Sequence, residues 1–419
     1  MKYLNEGIEI IGKSPDSGYT IPLYLIRTSE GKFIQLTTLL FYTVVALQKE
    51  KKLKAVAQEV SLNVGKIVDT QIIKYLMRTK LAPLGIIRDS NPASQQEQKS
   101  TNIILSLTYH FTLIPEHVAQ FLAKLFTPLF YPFVIGVVLT SFVEVNIWLF
   151  MTQDLGNAVQ QIIYQPSLFL LLVALVLLGT LFHEIGHATG CEYSGGKPSR
   201  IGAGLYIVWP AFFTDITDVY RLNRAARLRS DVGGIYFNAI FSLLATGIYF
   251  LTHFEPLLLL IVFQNIEILQ QLLPFLRLDG YYIVSDIVGV PNLFAHIKPI
   301  LFSLLPGQAQ AAPKNLKRWV RWVVTTWVLL TIPTLIYLFW VLFTDAPHLM
   351  TTTWSSVLLQ MKAMQENLNS SNYVIASIRG LQLLIIILPV LGIFAMSFRF
   401  GKKGLEILSR VSGNLLVRR

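Results

Sequence analysis

The stretch Leu178-Gly-Thr-Leu-Phe-His-Glu-Ile-Gly-His-Ala-Thr-Gly190 ends a long apolar run and carries polar side chains at a fixed spacing. No charged residue occurs from Ser167 to Phe182, so the run, together with its own motif, is long enough to cross a bilayer. His183 and His187 lie four residues apart, which places them one turn apart on the same face of a helix. Ionisable side chains are costly inside a membrane and are usually functional there. The stretch therefore predicts a membrane helix that ends in a functional site.

The spacing of His183, Glu184 and His187 is that of a His-Glu-x-x-His metal site. Both imidazoles can reach one zinc ion, while Glu184 lies beside the water-occupied position and can act as a general base. The alternative is a chance match between two core histidines, and the cost of such groups in an apolar helix argues against it. We predict that His183 and His187 bind Zn²⁺ and that Glu184 is catalytic.

The composition is that of a membrane protein. Of the 419 residues, 53% are hydrophobic and only 14% are charged, and the mean hydropathy is +0.53. Ordinary soluble proteins are more polar. The single cysteine, Cys191, excludes an internal disulfide framework and a cysteine-based zinc cluster. The first thirty residues contain charges and no apolar core, so we expect no cleavable signal peptide.

Six stretches are long enough, or nearly so, to cross the hydrocarbon layer, which takes about 20 residues. They cover residues 129–149, 167–189, 234–251, 256–275, 322–343 and 380–398, the third being the shortest. We therefore expect a mainly α-helical, polytopic protein with about six transmembrane helices. The membrane domain is expected over residues 128–400, followed by a basic cytoplasmic tail over 401–419.

The net charge of +11 follows the expected topology. Of the 35 Lys and Arg residues, all except Lys362 and Arg379 fall in segments that the six spans place on one side of the membrane. The positive-inside rule makes that side the cytoplasm, with both termini in it. The basic excess thus reflects orientation and not nucleic-acid affinity. We expect a multi-pass protein of a bacterial inner membrane, with the lipid bilayer and no nucleic acid as a partner.

Residues 1–100 predict a small soluble α+β domain. Residues 19–36 read as a β-hairpin with Gly31 in its turn. Three helical patterns then cover residues 37–48, 52–60 and 64–79, and a short extended piece near 84–87 closes the unit. A hairpin with three helices favours a winged-helix arrangement.

This order of elements resembles the leader-peptide recognition domains of ribosomal peptide modification systems. Such domains bind an extended peptide by adding it to a sheet edge. The resemblance implies a peptide-recognition role. A DNA-binding winged helix and a regulatory or stabilising domain remain alternatives, and no basic recognition helix stands out. The polar segment 89–101 and an amphipathic helix that begins at Pro115 predict a linker and an interfacial helix over residues 101–127.

A third metal-ligand candidate follows the span over residues 256–275. In the expected topology this span ends at Leu278-Asp279-Gly280, at the membrane depth of the two histidines. Catalytic zinc takes three protein ligands plus water, and two histidines with a carboxylate are a common set. Gly280 permits a backbone break after Asp279 that would turn the carboxylate sideways. A helix cap is the alternative role for Asp279, and the shared depth favours a ligand.

The segment His183–His187 and the later segment from Gln271 to Gly280 together resemble the site-2 protease family of intramembrane zinc metalloproteases. The likeness covers residues 173–287, and Leu-Asp-Gly-Tyr-Tyr282 is most similar to the subgroup of peptide zinc metalloproteases. Members of that subgroup often accompany peptide export or modification systems. The resemblance implies a zinc endopeptidase that cleaves a membrane-associated or leader-bearing peptide near the cytoplasmic face, with a peptide exporter or modification enzyme as a candidate partner.

The resemblance also suggests further site residues. Asn238 is similar to the family's Gly-x-x-x-Asn asparagine, and Gln271 stands where the family has an amide before Leu-Asp-Gly. Both are candidate oxyanion or substrate contacts, with packing between spans as the alternative for Asn238. Leu276 and Arg277 stand where the family commonly has prolines, which puts an oxyanion role for Gln271 in doubt.

Other polar residues near the motifs have weaker assignments. Residues 201–210 predict a hairpin whose edge, in the resembling family, takes an extended substrate; a plain loop strand is the alternative. Asp215 and Asp218 are typical turn or cap residues. The roles of three further polar residues within apolar spans stay open: Glu144, Asn265 and Glu267.

Two other functions fit part of the sequence. One is a non-proteolytic peptide-binding or export-accessory protein with a structural zinc; a structural site needs no base, so Glu184 argues against it. The other is a di-iron membrane oxidase or desaturase. Such sites need several histidine clusters, whereas this chain has seven histidines of which only His183 and His187 are clustered.

Overall fold

The computed structural model describes residues 3–28, 31, 33–49, 52–88, 108–206, 209–304, 313 and 315–416. These residues form a mainly helical protein with a small N-terminal β-sheet region. The predicted linker over residues 89–101 lies outside the described residues, as does the end of the basic tail.

Three strands and three helices make up the N-terminal region. They are β1 (Glu9–Lys13), β2 (Leu23–Arg27), β3 (Phe33–Thr37), α1 (Thr38–Lys49), α2 (Leu53–Val64) and α3 (Thr70–Leu76). The strands pair antiparallel in chain order. The predicted hairpin is confirmed as β2 and β3, and Gly31 between them has a φ of +79°. The winged-helix arrangement itself stays a prediction.

The strand β1 was not predicted, because its register is broken by an irregularity between Ile10 and Gly12 that hides the alternation. The helices bury one apolar face against the sheet, and Ile26, Val44 and Val56 share this core. Ile87, in the predicted extended piece, bridges to Leu4 and so closes the domain.

Together with three short 3-10 helices, ten α-helices and three strands follow in the remaining described residues. They are β4 (Thr108–Ile114), α4 (Glu116–Phe126), α5 (Pro132–Thr152), α6 (Gly156–Tyr164), α7 (Pro166–Tyr193), β5 (Ile201–Tyr206), β6 (Trp209–Thr214), α8 (Arg224–Thr252), α9 (Pro256–Gln271), α10 (Asp279–Val288), α11 (Ile297–Ser303), α12 (Arg318–Asn369) and α13 (Tyr373–Leu416).

Within the described residues, five helices are long and apolar enough to cross a membrane. They are α5, α7, α8, the first part of α12 (Arg318–Val341) and the first part of α13 (Tyr373–Gly392). The predicted span over residues 256–275 corresponds to α9, which has only 16 residues. The chain therefore has the helices of a membrane protein, while the count of six spans and the cytoplasmic termini stay predictions.

The shortest predicted span lies in a longer helix than expected. α8 begins ten residues before Gly234, because the Asn223 side chain accepts a hydrogen bond from the Ala226 N–H and caps the first turn. The first ten residues of α8 include several charged residues, so a search for apolar spans does not include them. The extension matters because it reaches the metal-site candidates.

The sheet next to α7 has three strands in the order β4, β5, β6. The predicted hairpin near residues 201–210 is confirmed, although its second strand extends to Thr214 and residues 207–208 lie outside the described part. The first strand, β4, falls where a linker was predicted and pairs antiparallel with β5.

The helices α7 and α8 approach each other at backbone distance. A Cβ atom added at Gly186 would lie 2.3 Å from the Gly233 carbonyl oxygen, and one at Gly233 would lie 2.4 Å from that of Gly186. Only glycine permits this approach at both positions. Small residues of this kind allow close helix packing in membranes.

The helices α12 and α13 pair in a different way. Arg379 donates a hydrogen bond to the Gln360 side-chain oxygen at 3.0 Å. This contact places the apolar first part of α13 beside the second half of α12 and not beside the apolar segment Arg318–Val341. The apolar segments of the two helices are therefore offset from each other along the helix axes.

Candidate metal centre

Three predicted ligands meet between α7 and the start of α10. The Nε2 atoms of His183 and His187 are 3.0 Å apart. Asp279 Oδ2 lies 3.2 Å from the first and 3.4 Å from the second. The histidines are 1% and 8% exposed, and the Asp279 side chain is 14% exposed. The three side chains therefore converge on one buried point.

The geometry fits a zinc ion. Ligand atoms at about 2.0–2.1 Å from a tetrahedral zinc lie about 3.3–3.4 Å from each other, close to the observed separations. Asp279 Oδ2 is buried and, despite these short distances, has no aligned hydrogen-bond partner among the described residues. Gly234 of α8 adjoins the site, because a Cβ there would lie 2.5 Å from the Nε2 atoms of both histidines. Glycine at this position leaves the room an ion needs.

His187 has a second contact that orients its ring. Its Nδ1 lies 2.8 Å from the backbone carbonyl oxygen of Ser230 on α8. A carbonyl can only accept, so Nδ1 carries the proton and Nε2 presents its lone pair to the centre. His183 Nδ1 is buried, and the described part of the chain provides no partner for it.

The candidate base Glu184 is held by the sheet. The Thr214 hydroxyl lies 2.7 Å from Glu184 Oε2 and 2.9 Å from the Glu184 carbonyl oxygen. Thr214 is the last residue of β6, so the strand ends at the base. No sequence pattern singled out Thr214, whereas the nearby Asp215 and Asp218 were recognised as turn or cap residues.

Asp215 and Asp218 are turn residues, as predicted. Asp215 accepts hydrogen bonds from Thr217, and Asp218 forms an ion pair with Arg221 at 2.9 Å. Burial alone would raise the pKa of Asp218, but Arg221 and the Lys197 N–H stabilise the carboxylate and lower the pKa below its usual range.

The backbone around Asp279 differs from the prediction. The break lies before Asp279, at Leu278, which is extended with φ −106° and ψ −177°, and Asp279 is the first residue of α10. The predicted break after Asp279, at Gly280, is wrong. Gly280 is needed for close packing, since a Cβ there would lie 2.3 Å from the Leu272 carbonyl oxygen.

The two candidate oxyanion contacts have different surroundings. Asn238 is fully buried, and both of its amide atoms lack a hydrogen-bond partner within the described ranges. It lies four residues after Gly234 on α8 and so shares the face that adjoins the metal centre. Gln271 is the half-buried last residue of α9.

The three polar residues without an assigned role have ordinary surroundings. Glu144 is exposed on α5. The Asn265 amide donates to the Ile261 carbonyl, and Glu267 accepts a hydrogen bond from Gln264 at 3.4 Å. These contacts assign no function to them.

The chain is similar to a protein of known sequence. It is the Bacillus subtilis (strain 168) protein named "Putative peptide zinc metalloprotease protein YydH", which is 24% identical over 135 residues. The aligned region covers 31% of this chain and 52% of that protein, so it spans about half of the relative's length. No family model matches the chain. No solved structure matches it.

Fold, site and relative agree on a broad class. The chain has the helices of a membrane protein, and two histidines of one such helix converge with Asp279 of α10 in a group that can hold a metal ion. The name of the relative points to a zinc metalloprotease. The chain thus combines helices that can cross a membrane with a group that can hold a metal ion, and it is similar to a protein named as a zinc metalloprotease.

Proposed function

We propose that this protein is an intramembrane zinc endopeptidase of the site-2 protease type. Its substrate would be a membrane-associated or leader-bearing peptide, cleaved near the cytoplasmic face. The observation that carries the proposal is the convergence of His183, His187 and Asp279 within 3.4 Å of one another, with Glu184 beside them.

His183, His187 and Asp279 would hold the ion, and the Ser230 carbonyl would keep the His187 ring in its binding tautomer. Zinc bound there would supply an acidified water and polarise the scissile carbonyl. Three protein ligands leave one position open, as in catalytic rather than structural zinc sites. The set thus favours catalysis over a purely structural zinc.

Glu184 would move the protons. Its Oε2 atom accepts the Thr214 hydroxyl, and no hydrogen bond to Oε1 occurs among the described residues. That oxygen can take the proton of the attacking water and return it to the leaving amine. The Asn238 amide, buried and unpartnered, would donate to the developing oxyanion.

The β6 strand would align the substrate. It is a terminal strand of its sheet, and its last residue, Thr214, contacts Glu184. An extended peptide that paired with β6 would run toward the base, and only an extended chain exposes a peptide bond to attack. The sheet would thereby select unwound segments.

The N-terminal domain would recruit the substrate. It has a three-stranded sheet, and a leader peptide would pair with the first or the last strand of that sheet. A peptide exporter or modification enzyme would then act on the same precursor. The whole protein would lie in a bacterial inner membrane with both termini in the cytoplasm.

The test uses the purified full-length protein with candidate leader-bearing peptides, with and without a chelator. We expect cleavage that the chelator abolishes and added zinc restores. Glu184→Gln should keep its zinc and lose cleavage by about 10²–10⁴-fold, the contribution of a general base. Cleavage by this variant at the wild-type rate would refute the proposed role of Glu184.

A further inference from the structure

A buried ion pair between α8 and α10 has no part in the chemistry described above. Arg227 Nε donates to Asp286 Oδ1 at 2.8 Å, and the two side chains are 5% and 16% exposed. Arg227 also donates to the Leu222 carbonyl oxygen at 2.9 Å, which fixes the guanidinium at the start of α8. A buried pair of this kind is weak evidence for stability, and in some proteins it fixes a defined geometry.

The pair joins α10, which carries Asp279, to α8, whose Ser230 carbonyl contacts His187. Asp286 lies seven residues after Asp279, so both aspartates occupy one face of α10, two turns apart. Arg227 lies on α8, three residues before Ser230, which holds His187. The ion pair therefore fixes how α10 lies relative to the histidines.

The other end of α10 is held by the N-terminal domain. The Gly18 N–H, in the loop between β1 and β2, donates to the Gly289 carbonyl oxygen at 3.0 Å. A Cβ at Gly18 would lie 2.1 Å from the Val288 carbonyl oxygen, so the loop meets the end of α10 at backbone distance.

The same loop also contacts α8 and the start of α12. Asp16 Oδ2 accepts the Arg224 N–H at 2.9 Å, and the Lys317 N–H donates to the Gly18 carbonyl at 2.9 Å. The loop thus contacts three segments of the membrane domain: the start of α8, the end of α10 and the start of α12. The end of α10 cannot shift without disturbing it.

We propose that Arg227 and Asp286 are positioning residues that hold Asp279 at bonding distance from His183 and His187. The β1–β2 loop clamps the far end of α10 and so links the N-terminal domain to the third ligand. This inference rests on the proposed zinc site, but it assigns roles to residues outside the binding and catalytic set.

The positive charge of Arg227 offsets the buried negative charge of Asp286. Asp231, one turn further along α8, is a second buried carboxyl group, and its Oδ2 has no hydrogen-bond partner among the described residues. Without Arg227 the buried Asp286 carboxylate would lose its cationic partner, whereas Asp286→Asn keeps an oxygen that can accept the Arg227 hydrogen bond. Loss of Arg227 should therefore disturb α10 more than loss of the Asp286 charge.

Zinc affinity of the full-length protein is the measured quantity, from competition with a chromogenic chelator. We expect Arg227→Met and Asp286→Asn to weaken zinc binding by about 10–100-fold, the usual effect of residues that orient metal ligands. The effect of Arg227→Met should be the larger. The double variant should be no weaker than Arg227→Met alone, because both changes remove one interaction.

The cobalt(II)-loaded proteins separate positioning from general damage. Loss of Asp279 from the ligand set changes the electronic spectrum of bound cobalt, so Arg227→Met should shift toward the spectrum of Asp279→Asn. The matched control is Asp218→Asn, which breaks the more exposed Asp218–Arg221 pair away from α10. The control should keep wild-type affinity and spectrum.

Wild-type zinc affinity and cobalt spectrum in folded Arg227→Met and Asp286→Asn variants would overturn the inference. If neither variant folds, Gly18→Ala decides, with Gly247→Ala as control because a Cβ at Gly247 meets no described atom within 4 Å. Weaker zinc binding in Gly18→Ala, with unchanged binding in Gly247→Ala, supports the inference. Unchanged zinc binding in Gly18→Ala overturns the inference. Failure of the wild-type protein to bind zinc would instead refute the proposed function.

Discussion

The α7–α8 pair and the α12–α13 pair show two ways of packing helices in one chain. Gly186 and Gly233 bring α7 and α8 together at backbone distance, and the metal-site candidates lie beside that contact. Between α12 and α13 a Cβ at Gly380 would lie 3.7 Å from Met364 Sδ, an ordinary contact. A metal site whose ligands come from separate segments needs the closer helix packing, because small displacements of the helices would move the ligand atoms out of bonding distance.

The largest effect is expected at the point where α8 meets the metal centre. Gly234→Ala would place a methyl group 2.5 Å from both histidine Nε2 atoms and fill the space for the ion. We expect no stoichiometric zinc in this variant, as measured by elemental analysis after purification. Gly247→Ala on the same helix should keep its zinc, and a full zinc content in Gly234→Ala would contradict the geometry.

A smaller effect is expected where the two helix pairs are compared directly. Gly186→Ala should lower the free energy of unfolding by about 1–3 kcal/mol, the usual result of overpacking. Gly380→Ala should change it little, or raise it, because alanine favours a helix with room for it. Thermal unfolding of both variants tests this contrast. Equal losses would mean that the two pairs pack alike.

The contact of β6 with the base should affect the rate and leave the metal in place. Thr214→Val removes the hydrogen bond to Glu184 Oε2. A hydrogen bond to a charged group contributes roughly 1.5–3 kcal/mol, so kcat should fall by about 10–100-fold while zinc content and KM change little. Thr214→Ser keeps the hydroxyl and should restore most of the rate. A loss of zinc in Thr214→Val would point to a structural role instead.

The smallest effect is expected at the Asp218–Arg221 pair, which lies outside the contact between Gly186 and Gly233. Because the folded-state pKa of Asp218 is lowered, its charge stabilises the fold above the usual pKa of 3.8. The advantage is lost as the pH falls through the lower folded-state value. Asp218→Asn should cost no more than about 1 kcal/mol at pH 7 because solvent screens the pair. Unfolding midpoints of the two proteins should converge in acid; a pH-independent gap would contradict this.

The ligand residues were predictable because local spacing and membrane depth constrain them. His183, Glu184 and His187 share one helical turn, and the end of an apolar run set the depth of Asp279. The structure brings His183, His187 and Asp279 together, although metal binding itself stays a proposal. Residues that sequence reasoning missed, such as Thr214, act through contacts between distant segments, which no local pattern encodes.

The same distinction explains the errors in the fold. Helices and the hairpin follow periodicity, so most were predicted, whereas β4 owes its structure to pairing with β5, a strand some 90 residues later. Gly280 was taken for a flexible point because glycine has two uses, positive φ and close approach, and sequence alone does not tell them apart. Arg227 and Asp286 carried no motif at all.

X-ray absorption at the zinc edge of the purified wild-type protein tests the metal site itself. We expect one zinc per chain, bound at about 2.0–2.1 Å by two imidazole nitrogens and by oxygen. Asp279→Ala should lose affinity or one oxygen ligand. A protein that takes up no zinc, or whose zinc lacks imidazole ligands, would contradict the central claim.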